Sequence, residues 1–334
     1  MSGRGPARFA HLRSLIDDVG IWQHANGAEP AREHGYCLDD ASRALLVTAR
    51  LARLDPSWRP AVETCCRFVD AAMASTNGAR NFMDADGRWL DDPHPGDHVG
   101  RTVWALGTLS AGRDRRLASW AAPRLRRLLD GELLEAGDLH GRLYALPGIG
   151  AAAEPWMAPL ARQLATSVVS TIPDDDAWRW PEPRLRYDAG RMPEALLIAG
   201  ATFSLPAAVD TGRVTLSMLT DLVVQSSGVH RYPGHRGLGP GEPLDESGDE
   251  QPLEAAAFAA AHMAARRVLG CHTSASAARA ALGWFHGANR LGLTLIDPFT
   301  DGCHDGLGRE ARNDNQGAES TLAYAACWLD VCAG

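Results

Sequence analysis

The chain contains no lysine: all 33 of its basic residues are arginine. Schiff-base chemistry, lysine-bound pyridoxal phosphate and a Walker-type phosphate loop with its lysine are thereby excluded. No GxGxxG precedes a helix in a βαβ pattern either. Long apolar runs are missing as well. No stretch approaches the about 18 uninterrupted apolar residues of a membrane span, and "MSGRGPARFAHLRSLIDD" lacks the apolar core of a signal peptide. Seven cysteines lie at 37, 65, 66, 271, 303, 327 and 332 without a CxxC pair, and read as reduced thiols of a cytoplasmic protein. Excess basic charge is lacking too. A net charge of −8 gives nucleic acid no basic face to bind.

What is present is ordinary globular material, 334 residues of which 45% are hydrophobic and 22% charged. Helical periodicity dominates, with apolar residues at i, i+3, i+4 and i+7. It predicts helices over 7–17, 40–53, 57–75, 98–111, 115–130, 139–146, 155–170, 188–202, 208–225, 253–269, 274–287 and 317–331. Strand-like alternation is confined to pieces such as "RNFM…GRWL" and "GVHRYPG". Short connections alternate with long ones over 76–97, 171–187, 226–252 and 288–316. The long ones carry Gly, Pro, Asp, His and Trp, a composition that suits functional loops. No linker divides the chain, so one domain is expected over 1–334.

The helix starts that follow the long loops share a polar character. They read "YCLDDASRALLVTA", "GDHVGRTVWALG", "GDLHGRLYALPG", "RYDAGRMPEALLIAG", "DEQPLEAAAFAAAH" and "NQGAESTLAYAACW". Anchored on Asp40, His98, His140, Asp188, Glu254 and Glu319, they recur at intervals of 58, 42, 48, 66 and 65 residues. Each polar cluster opens a small-residue helix suited to an inner layer, and the helices between are amphipathic and arginine-bearing. The expected fold is all-α, an (α/α)6 toroid of six helical hairpins. Six inner helices should then begin on one face, where their partial positive charge favours carboxylates and sugar oxygens. The helix at 139–146 is expected to be cut short by "ALPGIG".

The same segments, above all "GYCLDDASRALL", "YDAGRMPEALL", "DEQPLEAAA" and "NDNQGAESTLAY", resemble a known group. It is the six-hairpin glycosidase-like domain found C-terminal to some bacterial glycosyltransferases and near mannoside-processing enzymes. The resemblance runs from about residue 8 to 330. It implies the fold of (α/α)6 glycosidases, phosphorylases and sugar-isomerising enzymes, a mannose-containing oligosaccharide as substrate, and a glycosyltransferase as partner. That group usually has Thr-Asp-Asp-Asn where this chain has Leu38-Asp39-Asp40-Ala41, and Asp-Gln-Gln-Pro where it has Asp249-Glu250-Gln251-Pro252.

Glycoside cleavage needs two carboxyl groups, one protonated and one ionised. The candidates are Glu254, Glu319, Asp40 and Asp188. Asp40 and Asp188 also suit helix N-caps, each with an arginine three residues on, Arg43 and Arg191. Glu254 and Glu319 lack the Ser or Thr of a capping box three residues earlier, where Gln251 and Gln316 stand. Among small apolar neighbours their carboxyls would be desolvated and their pKa raised, as a general acid requires. Substrate contacts are expected from Tyr36, Asp39, Arg43, His98, Arg101, His140, Arg191, Gln251, Asn315 and Gln316. Trp89, Trp178, Trp180 and Tyr232 could stack on a sugar ring, "WRWP" at 178–181 being the best placed. "CHD" at 303–305 and "DADG" at 84–87 lack metal-ligand spacing, so neither metal nor cofactor is expected. The leading reading is an inverting glycoside hydrolase. A phosphorylase, an epimerase using His98 and His140, and a non-catalytic carbohydrate-binding partner of a transferase stay open beside it.

Overall fold

The computed structural model describes residues 9–74, 78–130, 134, 137–175 and 177–333. The first two residues of the helix expected over 7–17 and the last of that over 57–75 lie outside them. Among the described residues six helices alternate in depth with six others. The inner ones are α2 (Leu38–Leu54), α4 (Asp97–Ser110), α6 (Leu139–Ala152), α8 (Arg191–Thr202), α10 (Pro252–Leu269) and α12 (Ala318–Cys332). The outer ones are α1 (Ala10–Ser14), α3 (Arg59–Ala72), α5 (Arg115–Leu129), α7 (Ala158–Val169), α9 (Pro206–Val223) and α11 (Ser274–Phe285). Each inner helix packs on the next in chain order and α12 returns to α2, closing a ring; each also packs on one outer partner, α1 serving α12. The expected toroid is what forms.

Composition explains the layers. Inner helices are buried nearly all round: in α10 every residue from Pro252 to His262 is inaccessible, and most are alanine. Outer helices bury one stripe, as α5 does with Ala121, Leu125, Leu128 and Leu129, while its arginines face out. Among the described residues the named strands form two short antiparallel pairs: Ala25–Asn26 with Glu29–Pro30, and Tyr36–Cys37 with Phe82–Met83. The second falls where "RNFM" was expected to alternate. It pins the loop 78–94 beside the start of α2, with Leu38 N donating to the Asn81 carbonyl.

Two differences from the sequence expectation have physical causes. The helix expected to stop at 146 runs on to Ala152, with Pro147 inside it. Gly148 holds it there. A Cβ on Gly148 would lie 2.4 Å from the Val103 carbonyl oxygen, and one on Gly107 would lie 2.2 Å from that of Gly148. Gly100 meets Gly141 one heptad earlier in the same way, at 2.0 Å. α4 and α6 thus touch backbone to backbone, and this packing outweighs the one hydrogen bond proline removes. The helix expected from 188 begins at Arg191 instead, because Tyr187 and Asp188 are left-handed, with φ of 55° and 60°.

Gly107→Ala should destabilise the fold by about 1–3 kcal/mol through overpacking. Gly283→Ala in α11, whose added Cβ would meet nothing closer than 3.4 Å, should instead gain about 0.5–1 kcal/mol. Denaturant unfolding of the two variants checks the contrast.

Candidate functional site

The inner-helix starts converge, and their side chains form one charged network. At α2 the cap is a thiol: Cys37 Sγ accepts from Asp40 N at 3.4 Å. Neither Asp39 nor Asp40 is therefore consumed as the N-cap. Both stand in the first turn, where the helix dipole favours them. Arg43 gathers them. Its Nη1 lies 2.7 Å from Asp40 Oδ1 and 3.1 Å from Asp39 Oδ2, and its Nη2 lies 2.8 Å from Glu319 Oε2 on α12.

Arg101 on α4 carries the network across the ring. Its Nε is 2.7 Å from Asp39 Oδ1 and its Nη1 is 3.3 Å from Asp188 Oδ2. Its guanidinium lies 3.6 Å from the centre of the Tyr144 ring on α6, a cation–π contact. Arg191 opens α8 and holds Asp188 Oδ1 at 3.0 Å and Glu194 Oε2 at 2.6 Å. The Tyr187 hydroxyl accepts from both Arg43, at 3.0 Å, and Arg101, at 3.2 Å. Tyr187, Tyr144 and Glu194 are thus members of the candidate site the sequence did not single out. The left-handed turn that aims Tyr187 inward leaves no local signal beyond its place beside Asp188.

The two glutamates singled out in the sequence sit in different surroundings. Glu254 is buried, and both of its oxygens accept from the backbone, from Asp188 N at 2.6 Å and Ala189 N at 3.0 Å. It clamps the strained 187–188 turn. Burial pushes its carboxyl up to about 8, and the Asp188 charge adds to this against the two N–H donors. Glu319 keeps 32% of its side chain exposed. Burial among the inner helices raises its pKa, while Arg43 opposes the rise. Glu194 is raised by burial as well. Asp188 goes the other way: burial opposes its charge, but Arg191 and Arg101 hold its carboxyl below the usual range.

Other sequence candidates lie outside this network. Tyr36 is core: its ring stacks on Trp22 and its hydroxyl donates to Asp17. His98 is buried with Nε2 on the Ala79 carbonyl oxygen at 3.0 Å, fixing the 78–94 loop. His140 is half-buried at the rim, its ring 5.8 Å from that of Tyr187. Trp178 and Trp180 are 9% and 3% exposed, and the Trp178 indole donates to the Glu182 carbonyl, so the "WRWP" rings fill the loop's interior. Tyr232 is buried, and Trp89 packs against the core. Gln251 is the half-buried N-cap position of α10. Asn315 accepts from Gly27 N, and the Gln316 carbonyl meets His11 Nε2 at 2.6 Å, which ties the last loop to the first hairpin. Of the Gly-Arg steps at the inner-helix starts, 100–101, 141–142 and 190–191, Arg101 and Arg191 enter the network, whereas Arg142 reaches the Gly137 carbonyl.

The residues of "CHD" turn to separate partners: His304 to the Asn313 carbonyl, and Asp305 to Gly317 N. Among the described residues no group of three His, Cys, Asp or Glu is placed to hold a metal ion. Nor does any described helix have the length and apolarity to cross a membrane. All seven cysteines are free.

No known protein family's sequence model matches the chain, and no curated protein sequence does. Solved structures do. A D-mannose isomerase matches with TM-score 0.70 at 14% identity, covering 97% of this chain and 95% of its own. Cellobiose 2-epimerase from Bacillus thermoamylovorans matches at 0.69 with 10% identity, over 96% and 95%. The chain has the six-hairpin glycosidase fold. An inactive variant of the GH76 α-1,6-mannanase of Salegentibacter, in which two consecutive aspartates are replaced and mannotetraose is bound, matches at 0.63 with 9% identity, over 97% and 95%. At such identities the likeness is one of fold.

The raised pKa of Glu254 has a consequence for stability. Between the ordinary carboxyl value and about 8 the folded state keeps a proton that the unfolded state has lost. Its stabilising contribution is therefore present at low pH and lost as pH rises through that window, by at most about 1.4 kcal/mol per pH unit. The melting temperature should fall from pH 5 to 8 in the native protein and fall less steeply in Glu254→Gln. Parallel profiles would show that Glu254 does not titrate there.

Proposed function

We propose that the protein is a glycoside hydrolase acting on a mannose-containing oligosaccharide, working by a carboxylate acid and base with inversion. The observation that carries this reading is Glu319. It is the carboxyl of the network that combines a raised pKa with substantial exposure, and it borders a cavity on the ring axis. A carboxyl whose pKa is raised by burial and that can reach a ligand has the properties sought in a general acid for the leaving oxygen.

Asp39 is the complementary group. It is less enclosed than Asp40 or Asp188, at 13% side-chain exposure against 7% and 0%. Arg43 joins it to Glu319 and Arg101 fixes its other oxygen. In this reading Asp39 activates the attacking water, Asp40 and Asp188 hold the arginines, and Glu254 positions Asp188. The replaced aspartates of the inactive mannanase are likewise consecutive, and of this chain's aspartate pairs Asp39–Asp40 is the one within the arginine network. The mannose preference and a glycosyltransferase partner rest on the sequence resemblance, the first also on the mannotetraose bound by that mannanase.

The same scaffold serves isomerising enzymes. An epimerase would need two bases flanking one carbon. His98 is committed to the Ala79 carbonyl and packed at a tilt against His94, which leaves His140 of that pair at the rim. A phosphorylase would need guanidinium donors free for phosphate, yet Arg43, Arg101 and Arg191 are each engaged by carboxylates.

The test is a panel of mannosides and cellobiose incubated with and without phosphate. Hydrolysis should release reducing sugar at the same rate in both, and chelator should leave the rate unchanged. Sugar phosphate, or an epimer or ketose as the sole product, would overturn the hydrolase reading. Glu319→Gln should lower kcat by about 10²–10⁴ with the fold intact, the usual worth of acid–base assistance. His140→Ala should retain turnover.

A further inference from the structure

Beneath the arginine layer the ring is hollow. A cavity of about 340 Å3 follows its axis. Arg43, Arg101, Arg191 and Glu319 form its inner end, at the starts of the inner helices. Its other end lies where those helices finish, among Arg50, Ala151, Arg267 and Asp330. That end is open: Ala151 and Arg267 are exposed, and Arg50 and Asp330 keep 33% and 26% of their side chains accessible. The described loops between outer and inner helices lie at the opposite face, so the mouth is not the loop-lined entrance expected of this site.

We propose that this axial cavity is a binding site for one neutral monosaccharide, entered and left through the face at the inner-helix C-termini. Size is the first argument. At about 340 Å3 the cavity has room for a sugar ring and is too small for a long chain. It sits at the small end of the about 300–1,000 Å3 range of ligand pockets. Charge is the second. The outer end presents Arg50, Arg267 and Asp330, while Glu194 lies in the first turn of α8, held by Arg191 at 2.6 Å, so no lining carboxylate below Glu319 is left unpaired to attract a cation. Arg50 and Asp330 are paired at 2.6 Å, whereas Arg267 has no hydrogen-bond partner among the described residues and is available to sugar hydroxyls. Surface character is the third: Leu46, Trp104, Pro147, Ile198 and Leu322 supply apolar wall between the polar ends, which suits the mixed faces of a pyranose.

This inference deepens the hydrolase reading, since Glu319 stands where the cavity meets the carboxylate network. A sugar unit released there can leave through the axis while the remaining chain stays on the loop face.

Calorimetric titration of D-mannose and D-glucose into the intact protein tests it without requiring turnover, with inorganic phosphate as the charged comparison. Mannose should bind, phosphate should not, and Ala151→Trp, which fills the mouth, should weaken mannose binding at least tenfold at unchanged melting temperature. Arg267→Ala, which cannot fail by overpacking, should weaken it severalfold and relieve product inhibition where turnover is seen. Binding unaffected by both substitutions, phosphate binding in place of sugar, or no sugar binding at all would each overturn the proposal. Plug-sensitive mannose binding without hydrolysis would uphold the cavity and sink the hydrolase reading; hydrolysis with plug-insensitive binding would do the reverse.

Discussion

Five carboxyl groups share three guanidiniums inside the ring, with a sixth carboxyl beside them, and the rest of the site follows from that imbalance. Asp39, Asp40, Asp188, Glu194 and Glu319 each pair with Arg43, Arg101 or Arg191, while Glu254 sits against the backbone of the Asp188 turn. Most of these side chains are buried, so the surplus negative charge is poorly solvated. It is relieved at the glutamates, all three of which have raised pKa values, while Asp188 between two arginines is lowered. Buried pairs of this kind contribute little net stability, but losing one partner costs about 3–5 kcal/mol because a charge is left uncompensated. The network therefore acts as a lock on geometry. It spreads the pKa values of chemically similar acids apart, the glutamates upward and Asp188 downward, the kind of separation that acid–base catalysis uses.

That lock requires the inner helices to stand close together. Glycine and alanine make this possible. Gly100 and Gly107 bring α4 against α6, and Gly190 brings the start of α8 against α10, where an added Cβ would lie 2.3 Å from the Ala257 carbonyl carbon. The repeated Gly-Arg step thus has two halves with different duties at 100–101 and 190–191. The glycine permits backbone contact, and the arginine beside it points to the axis. Larger residues would widen the ring and pull Arg101 and Arg191 out of reach of Asp188. The short inner side chains also leave the axial cavity that Glu319 borders.

The architecture was legible because it is written repeatedly: six polar helix starts at hairpin spacing, inner helices of small residues, outer helices with one apolar stripe. The charged members of the candidate site, Glu194 apart, were legible for the same reason, since Asp39, Asp40, Arg43, Arg101, Asp188, Arg191, Glu254 and Glu319 all fall in those starts. Their division of labour was not. Whether Glu254 faces a ligand or a backbone turn depends on the left-handed conformation of Tyr187 and Asp188, and nothing in a Tyr-Asp pair announces it. Loop residues were the least legible. Trp178, Trp180, Asn315 and Gln316 have the chemistry of sugar contacts, but which way a long loop turns its side chains is decided by packing against distant segments, as Asn315 shows by accepting from Gly27 N. Tyr36 and His98 fall into the same class: each lies beside a true network residue and points away from it.

The claim at the centre of this account is that Glu319 delivers the proton to a glycosidic oxygen. A crystal structure of Glu319→Gln with an α-1,6-linked mannotetraose tests it most directly. The account predicts a glycosidic oxygen within hydrogen-bond reach of the residue 319 side chain, about 2.6–3.2 Å, with a water held by Asp39 on the opposite side of the anomeric carbon. A chain bound with residue 319 turned away and another carboxylate at the glycosidic oxygen would contradict it.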